Sequence, residues 1–480
     1  MFKRLPPVLY ATAAAIKSIP IHGVDEPSTV NADSTRNLSQ HYKERVTEII
    51  RRFKEKTGCP GVVAAISCAG KVVYNAGVGY ADVEHLTPAC PDTLFRIASI
   101  SKAVTSLLVG RYLEQDKLSL DEDVRFYYES FPRKQVNGSY AKITPRSLLN
   151  HTSGIRSYKK SDEKDAWPEY PEMLLQNQYH TSLEACELFR DDNLAHVPGE
   201  KYLYTTLGFT LLSAVLELVC TRTSPAFEGV PTSKSESTEN GGTIAKHCRM
   251  NAQLNQLFKR LGMKNTQLDQ ADQIVPSRAS QYRRDSKGLL LNTPTVNNSY
   301  KWAGGGILST ASDLLQLANH LASIYAGTSP IPHRSIIGPE TLRQLWTVSA
   351  CNPQSLWQPG LGWFISRRSG NPANRDSICP DRLYVGHTGG ALGGTTMLLL
   401  SLPCCPDGAL QSESLDRLEA GAHLPAICVV VLTNLEGVSA ISELTVSLVE
   451  LTTDYCLERM RPLDSYLMAT TGLQAQSLIG

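Results

Sequence analysis

Apolar positions along the chain follow strand spacing near both ends and helical spacing in between. The apolar runs 62–67 and 72–76 flank an Ala69-Gly70 turn, a pattern typical of a β-hairpin. Three more short apolar runs, each bounded by turns, lie near the end of the chain at 383–386, 395–400 and 426–432. The pattern therefore predicts one sheet whose strands come from both chain ends.

Helical periodicity occupies the stretch between these strands and also brackets the sheet. Charged residues alternate with apolar ones over 42–56, and a last amphipathic stretch covers about 439–461. Between them, helical spacing follows Lys102 and returns over about 207–220 and 251–261. These elements predict an α+β fold in which helices flank a sheet and a helical lobe is inserted in the middle of the chain.

Shifts in composition suggest where the folded part begins and ends. Residues 1–24 carry Lys3, Arg4 and Lys17 but no acid, which favours a mitochondrial transit peptide over a secretory signal. Secretion, or a frayed tail with no targeting role, remains an alternative. We predict a linker at 25–40 and a folded domain at 41–465, with sheet parts at about 41–98 and 360–465, a helical lobe at about 99–350 and a flexible insertion at 221–242.

The overall composition is that of an ordinary globular protein, and it excludes several classes of function. Apolar residues make up 42% of the chain and charged residues 19%. The net charge of +1 argues against nucleic-acid binding and against a polybasic membrane-binding surface. No apolar run reaches the ~18 residues that a transmembrane helix needs. The 12 cysteines form no Cys-x-x-Cys pair and His-Glu-x-x-His is absent, so we expect neither a metal site nor a cofactor.

The stretch 95–102, Phe-Arg-Ile-Ala-Ser-Ile-Ser-Lys, is the first candidate for chemistry. It predicts a strand or loop that leads into a helix, with Ser99 in the first turn and Lys102 one turn above it on the same face. Burial and the positive end of the helix dipole both lower the pKa of a lysine placed there, so Lys102 could take the proton of the Ser99 hydroxyl. Taken alone, Ser-x-x-Lys is a weak signal, because most such tetrads are plain helix starts.

Two later stretches add candidate site residues. Tyr204 stands just ahead of a predicted helix, where its hydroxyl could reach a cleft; the alternative is a buried aromatic with a local hydrogen bond. The stretch Gly386-His387-Thr388-Gly389-Gly390 stands at a strand start, where free edge amides could hold an acyl oxygen; the alternative is a tight turn. A Gly-x-Ser-x-Gly motif is absent, which leaves the α/β-hydrolase fold unsupported.

Taken in order, these stretches resemble a known family. Ser99-Ile100-Ser101-Lys102, Tyr204-Thr205-Thr206 and His387-Thr388-Gly389 are similar to the three motifs of the serine β-lactamase and penicillin-binding family, Ser-x-x-Lys, Tyr-x-Asn, and Lys-Thr-Gly or His-x-Gly. The resemblance is to the class C β-lactamase and D-aminopeptidase/esterase branch, and it covers about residues 45–460. Residues 79–84 and 297–306 further resemble an animal mitochondrial branch. The family fold has a five-stranded antiparallel sheet with helices on both faces and a helical lobe, in agreement with the predicted order of elements.

The resemblance implies a serine hydrolase that acts on peptide or ester bonds through an acyl-enzyme intermediate, with 41–465 as its catalytic domain. Ser99 would attack a carbonyl, Lys102 would help to deprotonate it, and Tyr204 would shuttle protons to and from the leaving group and the deacylating water. The amides of Ser99 and Gly390 would form the oxyanion hole, and the substrate-binding residues would be Thr206, His387, Thr388 and Gly389. The expected partners are a peptide or small acyl substrate and, as an open option, further copies of the chain. The animal branch implies a mitochondrial peptidase with influence on lipid metabolism.

Two residues depart from the family's motifs. Thr206 replaces the asparagine of Tyr-x-Asn and His387 replaces the lysine of Lys-Thr-Gly, so a side-chain amide and a permanent cation are missing. Both departures argue against β-lactam hydrolysis more than against peptide or ester hydrolysis. Tyr204 could serve as a base only if neighbouring cations lowered its pKa, and Lys102 and His387 are the available cations. We expect His387 to titrate between about pH 5 and 8.

A competing hypothesis is a catalytically weak scaffold that keeps the fold and assembles with itself. Ser99, Lys102 and Tyr204 are all present, and a chain that needs only the fold need not retain all three. The sequence therefore favours an enzyme.

Overall fold

The structure is a computed structural model that describes residues 29–163, 167–223, 244–328, 335–353, 355–368, 382–403 and 425–460. The chain divides into two compact units, Met1–His41 and Tyr42–Gly480. The second unit contains all the helices and strands of the described residues, apart from the first turns of the first helix. The predicted leader, residues 1–24, lies outside the described residues.

The described residues form helices and strands in the following order along the chain. The α-helices are α1 (Thr29–Thr57), α2 (Ile100–Glu114), α3 (Val124–Tyr127), α4 (Pro145–Leu149), α5 (Ser182–Cys186), α6 (Leu207–Thr223), α7 (Met250–Leu261), α8 (Trp302–Gly305), α9 (Ala311–Tyr325), α10 (Pro339–Leu345) and α11 (Ile441–Met460). The strands are β1 (Gly61–Cys68), β2 (Lys71–Asp82), β3 (Thr87–Pro88), β4 (Phe95–Arg96), β5 (Gln135–Val136), β6 (Ser139–Tyr140), β7 (Gln267–Leu268), β8 (Tyr282–Arg284), β9 (Leu290–Asn292), β10 (Ile307–Ser309), β11 (Gln358–Pro359), β12 (Phe364–Arg368), β13 (Arg382–Ala391), β14 (Gly394–Pro403) and β15 (Ile427–Thr433). Short 3₁₀ turns are found at Pro171–Leu174, Lys246–Cys248 and Ser299–Lys301.

The main sheet is antiparallel and joins strands from both chain ends, as predicted. Its order is β11-β12-β13-β14-β15-β1-β2-β3, so the β1–β2 hairpin adds to the edge of the C-terminal strands through β15. Val62 pairs with Thr433 and Cys68 with Ile427, which fixes the register between the two ends of the chain. The five apolar runs predicted as strands are confirmed as β1, β2, β13, β14 and β15.

The sheet has eight strands, so the predicted number of five is wrong. Strand β12 reads Phe-Ile-Ser-Arg-Arg, and its arginines interrupt the apolar run that would have predicted a strand. Strands β3 and β11 have two residues each, too few to show any periodicity. All three lie at or next to an edge of the sheet, where a strand needs less apolar surface than in the centre.

The central strands are buried because helices cover both of their faces. Val63 and Ala65 of β1 join the large apolar core that contains residues of α2 and α9. Val62 and Ala64 alternate with them and are also fully buried, so they face the opposite side of the sheet. Helix α11 packs on β14 and β15, and α9, which the sequence assigned to the helical lobe, packs on β1, β14 and β15.

Two predicted segment boundaries need correction. Helix α1 begins at Thr29, so most of the predicted linker at 25–40 is helical. Helix α6 extends to Thr223, so the predicted insertion at 221–242 begins later, and its remainder lies outside the described residues. The helices predicted at about 207–220, 251–261 and 439–461 are confirmed as α6, α7 and α11.

Two disulfides link distant parts of the described chain. Disulfides join Cys68 to Cys456 and Cys220 to Cys248; the first pair lies 388 residues apart, so spacing along the sequence gave no sign of it. None of the helices in the described part of the chain combines the length and the apolar character that crossing a bilayer requires.

Candidate active site

Ser99 lies at the junction of β4 and α2, where the sequence predicts a helix start. It is the N-cap residue of α2, and the residue before it, Ala98, has a φ of +49°. A left-handed φ is uncommon for alanine and makes a sharp turn before the helix. The Ile97 amide donates a hydrogen bond to the Ile307 carbonyl at 3.0 Å, and the Thr396 hydroxyl donates to the Ile97 carbonyl at 3.1 Å. These two bonds to β10 and β14 hold the turn that presents Ser99.

The Lys102 side chain is fully buried beside Ser99 and has three hydrogen-bond partners. Its Nζ lies 2.6 Å from the Gly304 carbonyl oxygen, 3.1 Å from Thr206 Oγ1 and 3.0 Å from Ser99 Oγ. A carbonyl oxygen can only accept, so one N–H must point to Gly304. A neutral amine that gives its second N–H to Thr206 keeps its lone pair for the proton of Ser99.

The surroundings of Lys102 favour this neutral amine. Burial lowers its pKa well below the ordinary value, and the positive charge of the nearby Lys301 lowers it further. The rings of Tyr204 and Phe209 lie 4.9 and 5.5 Å from Nζ and enclose the amine. The predicted shift in the Lys102 pKa is thus supported by its burial.

Tyr204 lies three residues before α6 and points its ring into the same centre. Its ring centroid is 4.3 Å from that of His151 and 6.4 Å from that of His387. Burial raises the pKa of Tyr204 above its ordinary value, and the contact with the Ser99 hydroxyl opposes that rise only in part. The expectation that Lys102 and His387 would lower the Tyr204 pKa as cations is wrong, because burial favours the neutral form of both. Tyr204 is therefore a phenol.

His387 lies in β13 with its ring against Phe364, at 4.9 Å between centroids. Its Nδ1 is 2.6 Å from the Thr388 carbonyl oxygen, which can only accept, so Nδ1 carries the proton and Nε2 is an acceptor. Burial is the main cause that lowers the His387 pKa to about 3. His387 therefore does not titrate between about pH 5 and 8 as the sequence suggested. Among the described residues, Nε2 has no hydrogen-bond partner.

The glycines after His387 bring the edge of β13 against the turn before Ser99. A Cβ atom at Gly389 would collide with the Ile97 carbonyl oxygen and the Thr396 hydroxyl, whereas one at Gly390 would meet open space. Strand β12 pairs with β13 only as far as Gly386, so the following residues have no described strand on that side. An acyl oxygen could reach the backbone of this segment next to Ser99.

A cavity of about 230 Å³ continues from this edge. Its lining includes His387 and Thr388 of β13 and the aromatic side chains of Tyr202, Trp357 and Phe364. A cavity of this size, lined by aromatic rings beside the buried His387, is suited to part of a small organic substrate.

Three further residues of the centre were not predicted. His151 is buried, its Nδ1 accepts the Thr205 amide at 3.3 Å, and burial holds its pKa well below the ordinary value. The positive charge of Lys301 lowers the pKa of Lys102, and the Tyr158 hydroxyl interacts with the Thr206 side chain. Lys301 lies in the stretch 297–306 that carried the family resemblance, which was the only signal for it.

Comparison with known sequences relates the chain to one protein family and to two similar proteins. A β-lactamase family model matches residues 46–226 and 253–445. The chain is similar to the serine beta-lactamase-like protein LACTB, mitochondrial, of Homo sapiens, with 29% identity over 420 residues, 74% of this chain and 71% of the relative. The protein of that name from Mus musculus is 29% identical over 483 residues, 86% of this chain and 80% of the relative.

Solved structures show the same fold at lower sequence identity. An octameric penicillin-binding protein homologue from Pyrococcus abyssi has a TM-score of 0.58 at 22% identity, covering 85% of this chain and 77% of its own. A D-amino acid amidase from Ochrobactrum anthropi SV3 has a TM-score of 0.58 at 18% identity, covering 88% and 99%. A class C beta-lactamase has a TM-score of 0.57 at 16% identity, covering 86% and 96%. The fold is thus the α+β fold of serine β-lactamases and transpeptidases, and with more than half of its residues matched by the family model, the chain belongs to the β-lactamase family.

Proposed function

We propose that the chain is a serine hydrolase that transfers the acyl group of a peptide or ester to Ser99 and then to water. The observation that carries this proposal is the set of hydrogen bonds around Lys102. The Gly304 carbonyl and the Thr206 hydroxyl take two N–H groups, and Ser99 Oγ lies 3.0 Å from the nitrogen. A buried neutral amine at this distance from a hydroxyl is a base next to its nucleophile.

In acylation, Ser99 Oγ attacks the substrate carbonyl as its proton moves to Lys102. The tetrahedral oxyanion is held by the amides of Ser99 and Gly390, at the start of α2 and on the free edge of β13. The carbonyl–leaving-group bond then breaks. The phenol of Tyr204 gives its proton to the leaving amine or alkoxide and takes back the proton that Lys102 holds.

In deacylation, water replaces the leaving group and the same protons move in reverse. Tyr204 accepts a proton from the attacking water while its own passes to Lys102, and Lys102 returns it to Ser99 Oγ when the ester bond breaks. The relay needs Tyr204 as a phenol with a donor and an acceptor, which its burial provides.

The substrate class that fits best is a peptide, amide or ester with an acyl group small enough for the cavity beside His387. We expect weak or negligible β-lactam turnover, because Thr206 lacks the side-chain amide of the family's asparagine and the neutral His387 lacks the positive charge of the family's lysine. The D-amino acid amidase of similar fold supports amide chemistry on this fold. Substrate contacts would come from Thr206, His387, Thr388 and Gly389.

The setting in which we expect this activity is the mitochondrion. The names of the human and mouse relatives say mitochondrial, and residues 1–24 are basic and free of acids. A peptidase activity with influence on lipid metabolism is proposed from the same resemblance. The alternative of a self-assembling scaffold draws support from the description of the Pyrococcus abyssi homologue as octameric.

A mass measurement of the intact protein after treatment with a fluorophosphonate probe tests the proposed function. We expect one adduct on the wild type, none on Ser99→Ala, and a wild-type adduct on Ser101→Ala. Ser101 is a matched control because it lies two residues away, is fully buried, and its Oγ has no partner among the described residues. An adduct that persists in Ser99→Ala, or hydrolysis of ester and peptide substrates that does not depend on Ser99, would overturn the proposal.

A further inference from the structure

A second cavity, of about 680 Å³, is lined by residues of the second half of α2, of α7 and of the end of α6. It shares no described lining residue with the cavity beside His387. Arg111, which lines it, lies twelve residues beyond Ser99, roughly 18 Å along the helix at the usual rise per residue. A molecule bound in this cavity would therefore lie away from the reacting groups.

The lining of this cavity carries positive charge without a carboxylate to balance it. It includes Arg111, Lys117 and Lys259, and among the described residues it contains no aspartate or glutamate. Two other cavities with basic side chains in their lining also contain a glutamate, Glu200 in one and Glu436 in the other. In the described part of the chain, Arg111, Lys117 and Lys259 form no ion pair. Their charges are therefore available to an anion.

The two helices that supply most of these cations contain almost no acids. Helix α7 has none, and the single acid of α2 is Glu114, whose carboxylate accepts the Gly338 amide instead. Burial, followed by the charge of Arg260, lowers the pKa of the Arg111 guanidinium. An anion in the cavity would stabilise the charged form of Arg111.

The uncharged part of the lining consists largely of polar side chains held in place. The Tyr112 hydroxyl donates to Gln253 Oε1 at 2.8 Å, and Gln253 Nε2 donates to the Cys248 carbonyl at 2.6 Å. Gln115 and Gln256 add side-chain amides to the lining. Guanidinium, ammonium and amide groups all donate to phosphate oxygens. A phosphate group carries about −1.5 to −2 charges at pH 7, so two of them would balance three cations, whereas one carboxylate would not.

We propose that this cavity binds a small molecule with two or more adjacent phosphate groups. The Arg111 guanidinium offers paired donors to one phosphate, and Lys117 and Lys259 act as point charges. The proposal does not depend on the proposed function, so Ser99→Ala should bind the molecule as the wild type does. A nucleoside diphosphate, inorganic pyrophosphate and the head group of a phosphoinositide all have this chemistry.

Calorimetric titration of the full chain with inorganic pyrophosphate, ADP and soluble inositol trisphosphate tests the proposal. We expect saturable binding of pyrophosphate to the wild type, and an affinity lower by at least roughly tenfold in Arg111→Gln/Lys259→Gln, from the loss of charge-assisted hydrogen bonds. Lys43→Gln/Arg45→Gln, which removes an exposed lysine and an exposed arginine from α1, is the matched control and should keep the wild-type affinity.

The three probes also distinguish the sources of the phosphate groups. Tighter binding of ADP than of pyrophosphate would indicate a nucleotide, and tighter binding of inositol trisphosphate would indicate a lipid head group. Equal binding of all three would indicate that the phosphate groups alone are recognised. In each case the Arg111→Gln/Lys259→Gln variant should lose the affinity for the preferred probe.

Chemical acetylation of lysines in the wild type gives a second measurement that needs no substitution. Saturating pyrophosphate should slow the acetylation of Lys117 and Lys259 severalfold and leave that of Lys43 unchanged. This measurement decides the matter if Arg111→Gln/Lys259→Gln does not fold. The proposal would be overturned if none of the three probes bound saturably, if the variant bound as tightly as the wild type, or if pyrophosphate left Lys117 and Lys259 unprotected.

Discussion

At the scale of single residues, the protonation state of the Tyr204 hydroxyl has the largest consequence for the mechanism. Burial raises its pKa, and the two residues expected to oppose that effect, Lys102 and His387, are themselves driven neutral by burial. Burial therefore favours a phenol over a phenolate, which agrees with the proposed relay of protons between the amine, the leaving group and water.

Replacing Tyr204 with phenylalanine should slow acyl transfer by roughly 10²–10⁴-fold, the usual contribution of a positioned acid–base group. The ring and its packing stay, so the melting temperature should hold. Single-turnover hydrolysis beside Tyr112→Phe provides the comparison, since Tyr112 also has a part-buried hydroxyl but bonds to Gln253. Wild-type rates in Tyr204→Phe would mean that Tyr204 is only a packed aromatic.

At the scale of elements, a buried carboxylate ties helix α6 to two neighbours. Glu217 accepts hydrogen bonds from the Ser182 amide at 2.9 Å, the Ser182 hydroxyl at 3.0 Å and the Met250 amide at 2.7 Å. These amides are at the first turns of α5 and α7, where the helix itself offers no acceptor. Burial raises the Glu217 pKa to about 7, and the hydrogen bonds counteract part of that rise.

This pKa predicts a stability that depends on pH. A carboxyl group whose pKa is raised by folding stabilises the folded state below its unfolded pKa, and that contribution is lost as pH rises towards about 7. The free energy of unfolding of the wild type, minus that of Glu217→Gln, should therefore fall by about 2–3 kcal/mol between about pH 5 and pH 8. Urea unfolding at both values measures it; a difference that stays constant or grows with pH would show that Glu217 is charged at both.

The elements that could be predicted from the sequence are those whose own residues carry a period. The apolar runs of β1, β13, β14 and β15 needed no partner to be identified, and neither did the long helices α6 and α11. Strand β12 could not be found, because its polar residues are tolerated only where β13 pairs with it beside the edge of the sheet. The start of helix α1 was not predicted, because its residues are polar and typical of turns.

At the scale of the whole molecule, the fold brings together residues from distant parts of the chain. The motif residues at Ser99, Lys102, Tyr204 and His387 were visible in the sequence because a family resemblance marked them. Their protonation states were not, since burial depends on the complete fold; this is why the expected direction of the Tyr204 pKa was wrong. The lowered pKa of the buried Lys301 likewise arises only when Arg96, Asp269 and Lys301 meet.

The central claim is that Ser99 is activated by a neutral Lys102, and the pH dependence of Ser99 labelling tests it most directly. The rate of reaction with a fluorophosphonate should be measured from about pH 5 to about pH 10 in the wild type and in Lys102→Met. We predict a wild-type rate that reaches its plateau well below the ordinary lysine pKa of ~10.4, and a rate in Lys102→Met that is lower by at least roughly 10²-fold. A wild-type rate that still climbs about tenfold per pH unit near pH 10, or wild-type labelling by Lys102→Met, would contradict the account.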